Sequence, residues 1–301
     1  SIYGFFILSI KKPSKKKLNN KKTNISILVP FRNEALRIQQ LLDSFNIQIE
    51  TSVIKEIIFI DDHSTDNSCD IISNWINSST IDSKVINLDK NRGKKHAIYL
   101  GFQNACSKYV LTLDADVNFK KNFFLKIRNE ILFNKGLYIF PVVENLGLVY
   151  SQIESHVLSI FTTGMLNLKT PILANGACLL INRDIFLSYN PYKANYNIDS
   201  GDDLFVLEIF KKNNVPIVAT SPYIFSIYTS GPKNLKSYMY RSLRWSGKMS
   251  NIKLPLTKFY GLIILMANFI ALFMLYKIIF IYSNEALFYL MMKLCLDLLI
   301  T

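Results

Sequence analysis

Short apolar runs alternate with polar turns and longer amphipathic segments through the middle of the chain. Four runs rich in β-branched and aliphatic residues are predicted strands, at 25–29, 56–60, 84–88 and 109–113. Each is followed by a segment of helical character, at 34–45, 65–76, 94–105 and 121–133. Strands and helices that alternate in this way predict an α/β domain built on a mostly parallel sheet with helices on both faces.

The pattern changes after the fourth strand. Residues 152–168 are predicted to form an amphipathic helix, which either packs on the sheet or lies against a membrane surface or an acceptor. A strand entered through a glycine is predicted at 175–181. The acidic stretch 199–203 then opens a helix at 204–212, because acidic residues are favoured at helix starts.

Apolar runs without this alternation lie at both ends of the chain. Residues 259–276 are eighteen residues without a charge, close to the roughly 20 that a helix needs to cross a bilayer. We therefore predict a transmembrane helix at 259–282, the start of a second at 286–301, and the end of another at 1–10. A pair of buried globular helices is the alternative at the carboxyl-terminal end.

Positive charge is concentrated beside these apolar runs. The formal net charge is +13, and seven lysines lie in the basic linker 11–24. Lysines next to an apolar segment are typical of the cytoplasmic edge of a membrane helix, and Lys253 and Lys258 also precede such a run. The domain at 25–253 is therefore predicted to lie on the cytoplasmic side of the cell membrane. A nucleic-acid partner is not expected, because most of the basic excess is in the linker.

The length and the cysteines narrow the class of protein further. The chain has 301 residues, half of them hydrophobic, which fits one large domain with appendages. Its four cysteines are far apart and form no Cys-x-x-Cys pair. They are predicted to be buried thiols of a reduced compartment, not disulfides or zinc ligands.

Two aspartates separated by one small residue follow the strand at 109–113 directly. Residues two apart in an extended segment point the same way, so Asp114 and Asp116 would present two carboxylates to one side at the sheet edge. Such a pair repels itself unless a positive charge lies between, and an oxygen-preferring divalent cation that carries phosphates is the commonest candidate. A polar turn without a metal is the alternative, since aspartate is common in turns.

Polar motifs follow the other predicted strands too, and ligands gather beyond the carboxyl ends of parallel strands. These polar motifs are residues 30–34 after the first strand, Asp61 and Asp62 after the second, and residues 91–95 after the third. Glu34 would either cap a helix or contact a ligand. Two adjacent aspartates exceed what capping needs, so one is expected to bind a ribose or base. The cations of 91–95 would meet phosphate or form a solvated cluster.

Two more motifs lie towards the carboxyl-terminal end. The stretch 199–203 is a third acidic cluster in one domain, which adds a candidate general base to its capping role. Arg241, Arg244 and Lys248 are three or four residues apart and so share one helix face. That face would meet lipid phosphate or the diphosphate of a ligand.

Taken in order, these motifs resemble the family 2 glycosyltransferases, which have the GT-A nucleotide-sugar fold. The likeness covers roughly 25–248 and extends to the flanking membrane helices of the membrane-bound polysaccharide synthases of that family. It implies that Asp203 is the catalytic base and that Asp114 and Asp116 hold a metal. The substrate-binding residues that it implies are Pro30, Arg32, Glu34, Asp61, Asp62, Lys94, Asp114, Asp202, Arg244 and Trp245.

The reaction implied by this resemblance is an inverting sugar transfer. The donor would be a nucleotide-diphosphate sugar, with a UDP-sugar expected, and the acceptor a hydroxyl of a glycan or lipid-linked molecule. Asp203 would remove the proton from the attacking hydroxyl. Mg²⁺ or Mn²⁺ held by the aspartate pair, together with Arg244, would stabilise the leaving nucleoside diphosphate.

One position departs from the pattern of the family. Processive members carry Gln-x-x-Arg-Trp, whereas this chain has Arg241 ahead of Arg244 and Trp245, which leaves processive synthesis open. Two other functions remain alternatives: a nucleotidyltransferase of similar fold, and a non-catalytic membrane-anchored nucleotide-sugar-binding protein. The first would leave the Asp202-Asp203 and Arg-Trp elements unexplained, and retention of all the acidic positions argues against the second.

Overall fold

The computed structural model describes residues 23–198, 200–222, 224–225 and 227–250, with isolated positions between 255 and 292, and only the backbone from 245 to 250. The strands are β1 (Ile25–Phe31), β2 (Ile54–Asp61), β3 (Ser83–Asn87), β4 (Tyr109–Leu113), β5 (Val117–Phe119), β6 (Leu137–Ile139), β7 (Val142–Leu146), β8 (Cys178–Asn182), β9 (Ile217–Ala219) and β10 (Ile227–Ser230). The helices are α1 (Ile38–Asn46), α2 (Ser68–Ser78), α3 (Lys94–Asn104), α4 (Phe123–Glu130), α5 (Val149–Asn167), α6 (Arg183–Tyr189), α7 (Asp202–Lys212) and α8 (Leu235–Ser250).

The main sheet of the described chain has seven strands in the order β3-β2-β1-β4-β8-β6-β9. Its pairs are parallel except at β8, which runs antiparallel to both β4 and β6. A smaller sheet has the order β5-β10-β7. The predicted α/β class with a mostly parallel sheet is therefore confirmed; β8 is the antiparallel strand of the main sheet, and β5 pairs antiparallel with β10 in the smaller one.

Apolar side chains cover both faces of the main sheet. Along β1, Ile27 and Val29 lie in one buried cluster while Leu28 lies in the other, as strand alternation requires. Residues of α1, α2 and α4 belong to the first cluster, and residues of α3, α6 and α7 belong to the second. Because both faces are buried, the central strands appear in the sequence as continuous apolar runs.

The predicted elements are present with shifted ends. The helix predicted at 34–45 begins later, at Ile38, because a turn precedes it in which the backbone N–H of Arg37 donates to the carbonyl of Glu34. The amphipathic helix predicted at 152–168 is α5, and it packs against β7 and β9, which is the first of the two alternatives given above. The short strands β5, β6, β7, β9 and β10 were not predicted.

No helix within the described residues is long and apolar enough to cross a membrane. The predicted terminal segments at 1–10, 259–282 and 286–301, and most of the linker 11–24, fall on residues that the structure does not describe or describes only as isolated positions. These segments and the domain boundaries at 25–253 therefore stay predictions.

Candidate active site

A cleft of about 730 Å³ opens beside the carboxyl end of β4. Its walls come from the residues after β4, from the N-termini of α3 and α7, and from β7, α5 and α8. The predicted site residues that line it are Lys94, Asp114, Asp116, Asp202, Asp203 and Arg244. The fold thus brings to one cleft motifs that are far apart in the sequence.

Lys94, the first residue of α3, joins two of the acidic motifs. Its Nζ lies 2.7 Å from Oδ1 of Asp114 and 2.9 Å from Oδ2 of Asp202. Burial acts to lower the pKa of Lys94, but the two carboxylates outweigh burial and raise that pKa above its ordinary value. Burial raises the pKa of Asp114, and the charge of Lys94 offsets part of this rise. Lys94 is therefore a fixed cation that ties the end of β4 to the start of α7.

Asp116 pairs with a different cation, Arg37, which the sequence interpretation missed. Nη1 of Arg37 donates to Oδ2 of Asp116 at 3.2 Å, and Nη2 donates to Oε1 of Glu34 at 2.6 Å. Burial raises the pKa of Glu34, and its Oε2 is buried without a hydrogen-bond partner among the described residues. The signal in the sequence was the spacing of three residues between Glu34 and Arg37, at which side chains on one turn meet.

Strand β4 ends before the aspartate pair, so the pair lacks the extended geometry on which the prediction rested. β4 stops at Leu113, and residues 115–116 form a turn, so the two-residue alternation does not extend to Asp116. Asp114 and Asp116 still line the same cleft. The positive charge that two neighbouring carboxylates require is supplied by the protein itself, through Lys94 and Arg37.

The second acidic pair forms the first turn of α7. Oδ2 of Asp203 accepts the backbone N–H of Gly176 at 3.2 Å, and Oδ1 accepts the N–H of Leu204 at 2.9 Å. A Cβ on Gly176 would lie 3.0 Å from Oδ2 of Asp202 and 3.3 Å from Cβ of Asp203, so glycine allows the close approach. The positive end of the helix dipole favours two carboxylates at this position.

Asp61 holds the loop that follows β2. The backbone N–H and the hydroxyl of Ser64 donate to its Oδ1 at 2.9 Å and 2.5 Å. The thiol of Cys69 donates to its Oδ2 at 3.1 Å. The side chain is buried, and the contacts described here are structural. A role in binding ribose or base stays a prediction.

Asp62 holds the loop before α3 in the same way. Its two oxygens accept the backbone N–H groups of Arg92 at 2.7 Å and Gly93 at 2.8 Å. Gly93 has φ +85°, a left-handed conformation that favours glycine. Because Gly93 directly precedes Lys94, this anchor positions the cation that bridges the acidic motifs.

The remaining predicted residues lie in different surroundings. Pro30 is buried within β1, and Arg32 is exposed just beyond that strand; neither lines the cleft. Arg244 lines the cleft from α8. The side chain of Trp245 lies outside the part of the chain that the structure describes. The cleft is also lined by Glu144, Glu154 and Arg241, of which only Arg241 had been singled out in the sequence.

Asp114 and Asp116 supply the oxygen ligands that Mg²⁺ and Mn²⁺ accept. Among the described residues, no group of three or more His, Cys, Asp or Glu side chains could hold a metal ion. A magnesium-type ion, however, is usually bound by one or two carboxylates together with substrate phosphates and water. The pair therefore fits an ion that arrives with a diphosphate. Of the two carboxylates, Asp116 is the more available to a metal ion, because the side chain of its partner Arg37 is 52% exposed.

Residues 26–186 match the sequence profile of Glycosyl transferase family 2, and the match spans more than half of the chain. The chain belongs to glycosyltransferase family 2. This confirms the family 2 part of the resemblance and the prediction of a family 2 glycosyltransferase, while the likeness to the membrane-bound polysaccharide synthases stays a prediction. The matched region contains Lys94, Asp114 and Asp116 and ends before Asp203.

Two curated family relatives come from staphylococci. The poly-β-1,6-N-acetyl-D-glucosamine synthase of Staphylococcus epidermidis is 38% identical over 121 residues, which are 38% of this chain and 28% of that protein. The 4,4'-diaponeurosporenoate glycosyltransferase of Staphylococcus aureus is 35% identical over 105 residues, 35% of this chain and 27% of that protein. The matched segments thus span little more than a quarter of these relatives.

Similar solved structures show the fold of this family 2 chain to be GT-A-like. The mannosyltransferase PcManGT from Pyrobaculum calidifontis, in complex with GDP-Man and Mn²⁺, has a TM-score of 0.63 at 15% identity, and the match covers 85% of this chain and 73% of that one. TarS from S. aureus, in complex with UDP-GlcNAc, has a TM-score of 0.51 at 18% identity, and the match covers 77% of this chain and 68% of that one.

Proposed function

We propose that this protein moves a sugar, with inversion, from a nucleotide-diphosphate sugar to a hydroxyl of a glycan or lipid-linked acceptor. The observation that carries the proposal is the meeting of two acidic pairs, Lys94 and Arg244 in one cleft of a family 2 chain. Carboxylates suit the proton transfer, and cations suit a diphosphate leaving group.

Asp203 is assigned as the general base. It takes the proton of the acceptor hydroxyl while that oxygen forms a bond to the anomeric carbon from the side opposite the diphosphate. The bond from the anomeric carbon to the diphosphate breaks, and its electron pair stays on the leaving oxygen. The N–H groups of Gly176 and Leu204 hold the carboxylate in place at 3.2 Å and 2.9 Å.

Cations of the chain stabilise the leaving group. Lys94 is held between Asp114 and Asp202, so its ammonium is in position before the donor arrives. Arg244 lines the cleft from α8, and its guanidinium can bind phosphate oxygens with two N–H groups. Mg²⁺ or Mn²⁺, bound through Asp116 and Asp114, would neutralise charge on the diphosphate.

A UDP-sugar is the donor that we propose. One curated relative is named a synthase of an N-acetylglucosamine polymer, and the TarS structure contains UDP-GlcNAc. The more similar solved structure contains GDP-Man, so a guanine nucleotide is the competing donor. A panel of nucleotide sugars decides between them, because each donor releases a different nucleoside diphosphate.

We also propose that the domain works at the cytoplasmic face of the cell membrane. The support is the uncharged run 259–276 with Lys253 and Lys258 ahead of it. An acceptor carried on a lipid would then be at the same surface as the cleft. Membership of family 2 argues against the nucleotidyltransferase alternative.

The test is release of nucleoside diphosphate by membranes that contain the full chain. We expect release from one nucleotide sugar of the panel, loss of release with EDTA, and a fall of at least about 100-fold in Asp203→Asn, in line with general-base catalysis. Asp184→Asn is the matched control, because Asp184 also lies in the first turn of a helix but is exposed and outside the cleft.

Either of two results would refute this proposal. Full transfer by a folded Asp203→Asn protein would remove the base assignment. Absence of release from every donor by the wild-type protein would leave the non-catalytic binding protein, and donor binding measured by thermal stabilisation would then identify it.

A further inference from the structure

A largely buried cluster of three charged side chains lines the cleft outside the acidic pairs. Nη1 of Arg241, on α8, hydrogen-bonds Oε1 of Glu144, and Nη2 lies 2.9 Å from Oε2 of Glu154. Only 12% of the Arg241 side chain and 6% of the Glu144 side chain are exposed. Glu144 belongs to β7 and Glu154 to α5, so one guanidinium joins three elements.

Glu144 is itself held from several directions. The hydroxyl of Ser151 donates to its Oε2, and its backbone N–H donates to the hydroxyl of Ser155 at 2.9 Å. The chain also passes very close at Gly231, where a Cβ would collide with the Glu144 carboxylate. The carboxylate that receives Arg241 is therefore fixed by β7, by α5 and by the segment that leads into α8.

The two arginines of α8 differ in their surroundings although they are three residues apart. Arg241 is buried and paired with two carboxylates. Arg244 is exposed at the cleft and has no ion pair with a carboxylate of the described chain. Arg241 could reach a diphosphate only by leaving two largely buried carboxylates without their cation, which is strongly unfavourable.

We propose that Arg241 is a positioning residue: held by Glu144 and Glu154, it fixes α8 so that Arg244 faces the diphosphate. The inference rests on the proposed function, since it gives Arg244 its ligand. It also assigns a role to the position at which this chain departs from Gln-x-x-Arg-Trp. Arg241 contacts protein carboxylates, and the charge offered to the ligand is that of Arg244.

The test is a double-mutant cycle in the full chain, with Arg241→Gln, Glu154→Gln and both together. We expect each single variant to raise the KM for the nucleotide sugar and lower kcat, with kcat/KM falling about tenfold as for other supporting residues. The double variant should be no worse than Arg241→Gln alone, because Glu154→Gln acts through a contact that Arg241→Gln already removes. Arg128→Gln breaks an arginine–glutamate pair outside the cleft, between Arg128 of α4 and Glu50, and should leave the kinetics unchanged.

A readout independent of activity accompanies the cycle. Hydrogen exchange of the backbone at 235–244 should speed up in both single variants, whether or not the correct donor is known. If Glu154→Gln leaves kinetics and exchange unchanged while Arg241→Gln raises the KM, Arg241 binds the donor directly and the proposal is wrong. Unchanged kinetics in all variants, with a lower melting temperature alone, would also overturn it. Failure of the wild-type protein to use any donor counts against the proposed function. Hydrogen exchange then still tests whether the contact between Arg241 and Glu154 fixes α8.

Discussion

At the scale of single residues, the charge balance of the cleft depends on Lys94. One ammonium faces Asp114 and Asp202, and the charge of Asp116 acts on Asp114 as well. Without Lys94 these carboxylates would repel one another in a partly buried place, where screening by water is weak. The lysine therefore keeps the site folded as well as ready for an anionic ligand.

We predict that Lys94→Met lowers both stability and donor binding. Removing one partner of a buried ion pair costs about 3–5 kcal/mol. Because 33% of the Lys94 side chain is exposed, we expect a loss of about 2 kcal/mol in the free energy of unfolding. Denaturant unfolding measures the loss, and Lys94→Arg, which keeps the charge, is the control and should lose less.

The pH dependence of this difference has a defined sign. The pKa of Lys94 is raised in the folded protein, so its contribution is complete below the unfolded pKa of about 10.4 and is lost as pH rises through the folded pKa. The stability difference between wild type and Lys94→Met should then not shrink from about pH 6 to 9, and it should grow where the unpaired Asp114 of the variant loses its proton. A difference that shrinks across that range would show that Lys94 loses its proton near neutral pH, against the assignment.

The chemistry of the site could be predicted from residue types, but the pairing of charges could not. Asp114 and Asp116 stood out because two carboxylates directly after an apolar strand are unusual in a core. Arg37 and Glu144 did not stand out, because charged residues near a helix start or a strand end are common and are usually exposed to solvent. Their partners, Asp116 and Arg241, are far away in the sequence and become neighbours only through the fold.

At the scale of elements, two glycines set how closely neighbouring segments approach. Gly176, before β8, lies against the acidic pair at the start of α7. Gly101, on α3, lies against Leu28 of β1 and Ile60 of β2, where a Cβ would come within 2.8 Å and 2.6 Å of side-chain carbons. The contact at Gly176 is with the candidate active site, whereas the contact at Gly101 is with the hydrophobic core alone.

We therefore predict that two glycine-to-alanine changes affect different properties, one the reaction rate and the other the stability. Gly176→Ala should push Asp202 and Asp203 away and reduce kcat about tenfold, with a small change in melting temperature. Gly101→Ala should overpack the core and cost about 1–3 kcal/mol of unfolding free energy, while the folded fraction keeps its kcat. Steady-state rates and thermal unfolding of both variants measure this contrast. Equal effects of the two changes on kcat would contradict it.

Elements whose apolar pattern is strong were predictable, and elements set by tertiary contacts were not. β1, β2 and β4 are buried on both faces, and their sequences are correspondingly rich in Ile, Val and Leu, whereas β3 at the sheet edge is only partly buried. β5, β6 and β9 have three residues each, too few to show a period of two. The antiparallel direction of β8 could not be predicted either, because its sequence does not differ from that of a buried parallel strand.

At the scale of the whole molecule, apolar surface continues past the domain. Within the run 259–276, the described positions are helical, and the exposed apolar side chains among them include Leu262 at 54%, Met266 at 58% and Ile270 at 56%. A membrane surface is one environment that would cover such side chains. The basic linker and Lys253 and Lys258 carry the positive charge that would face anionic lipid headgroups.

We predict that the full chain stays in membranes during carbonate extraction and that Met266→Lys with Ile270→Lys lowers the retained fraction, while the predicted segments at 1–10 and 286–301 hold the rest. A lysine near the centre of a spanning helix costs about 2.5–3.5 kcal/mol on insertion scales, so two should prevent stable insertion. Leu36→Lys with Ile49→Lys is the matched control, because these side chains are 98% and 68% exposed on the domain and should leave the chain in the membrane. Release of the wild-type chain by carbonate would contradict membrane insertion, and an unchanged retained fraction in the double-lysine variant would count against a span at 259–276.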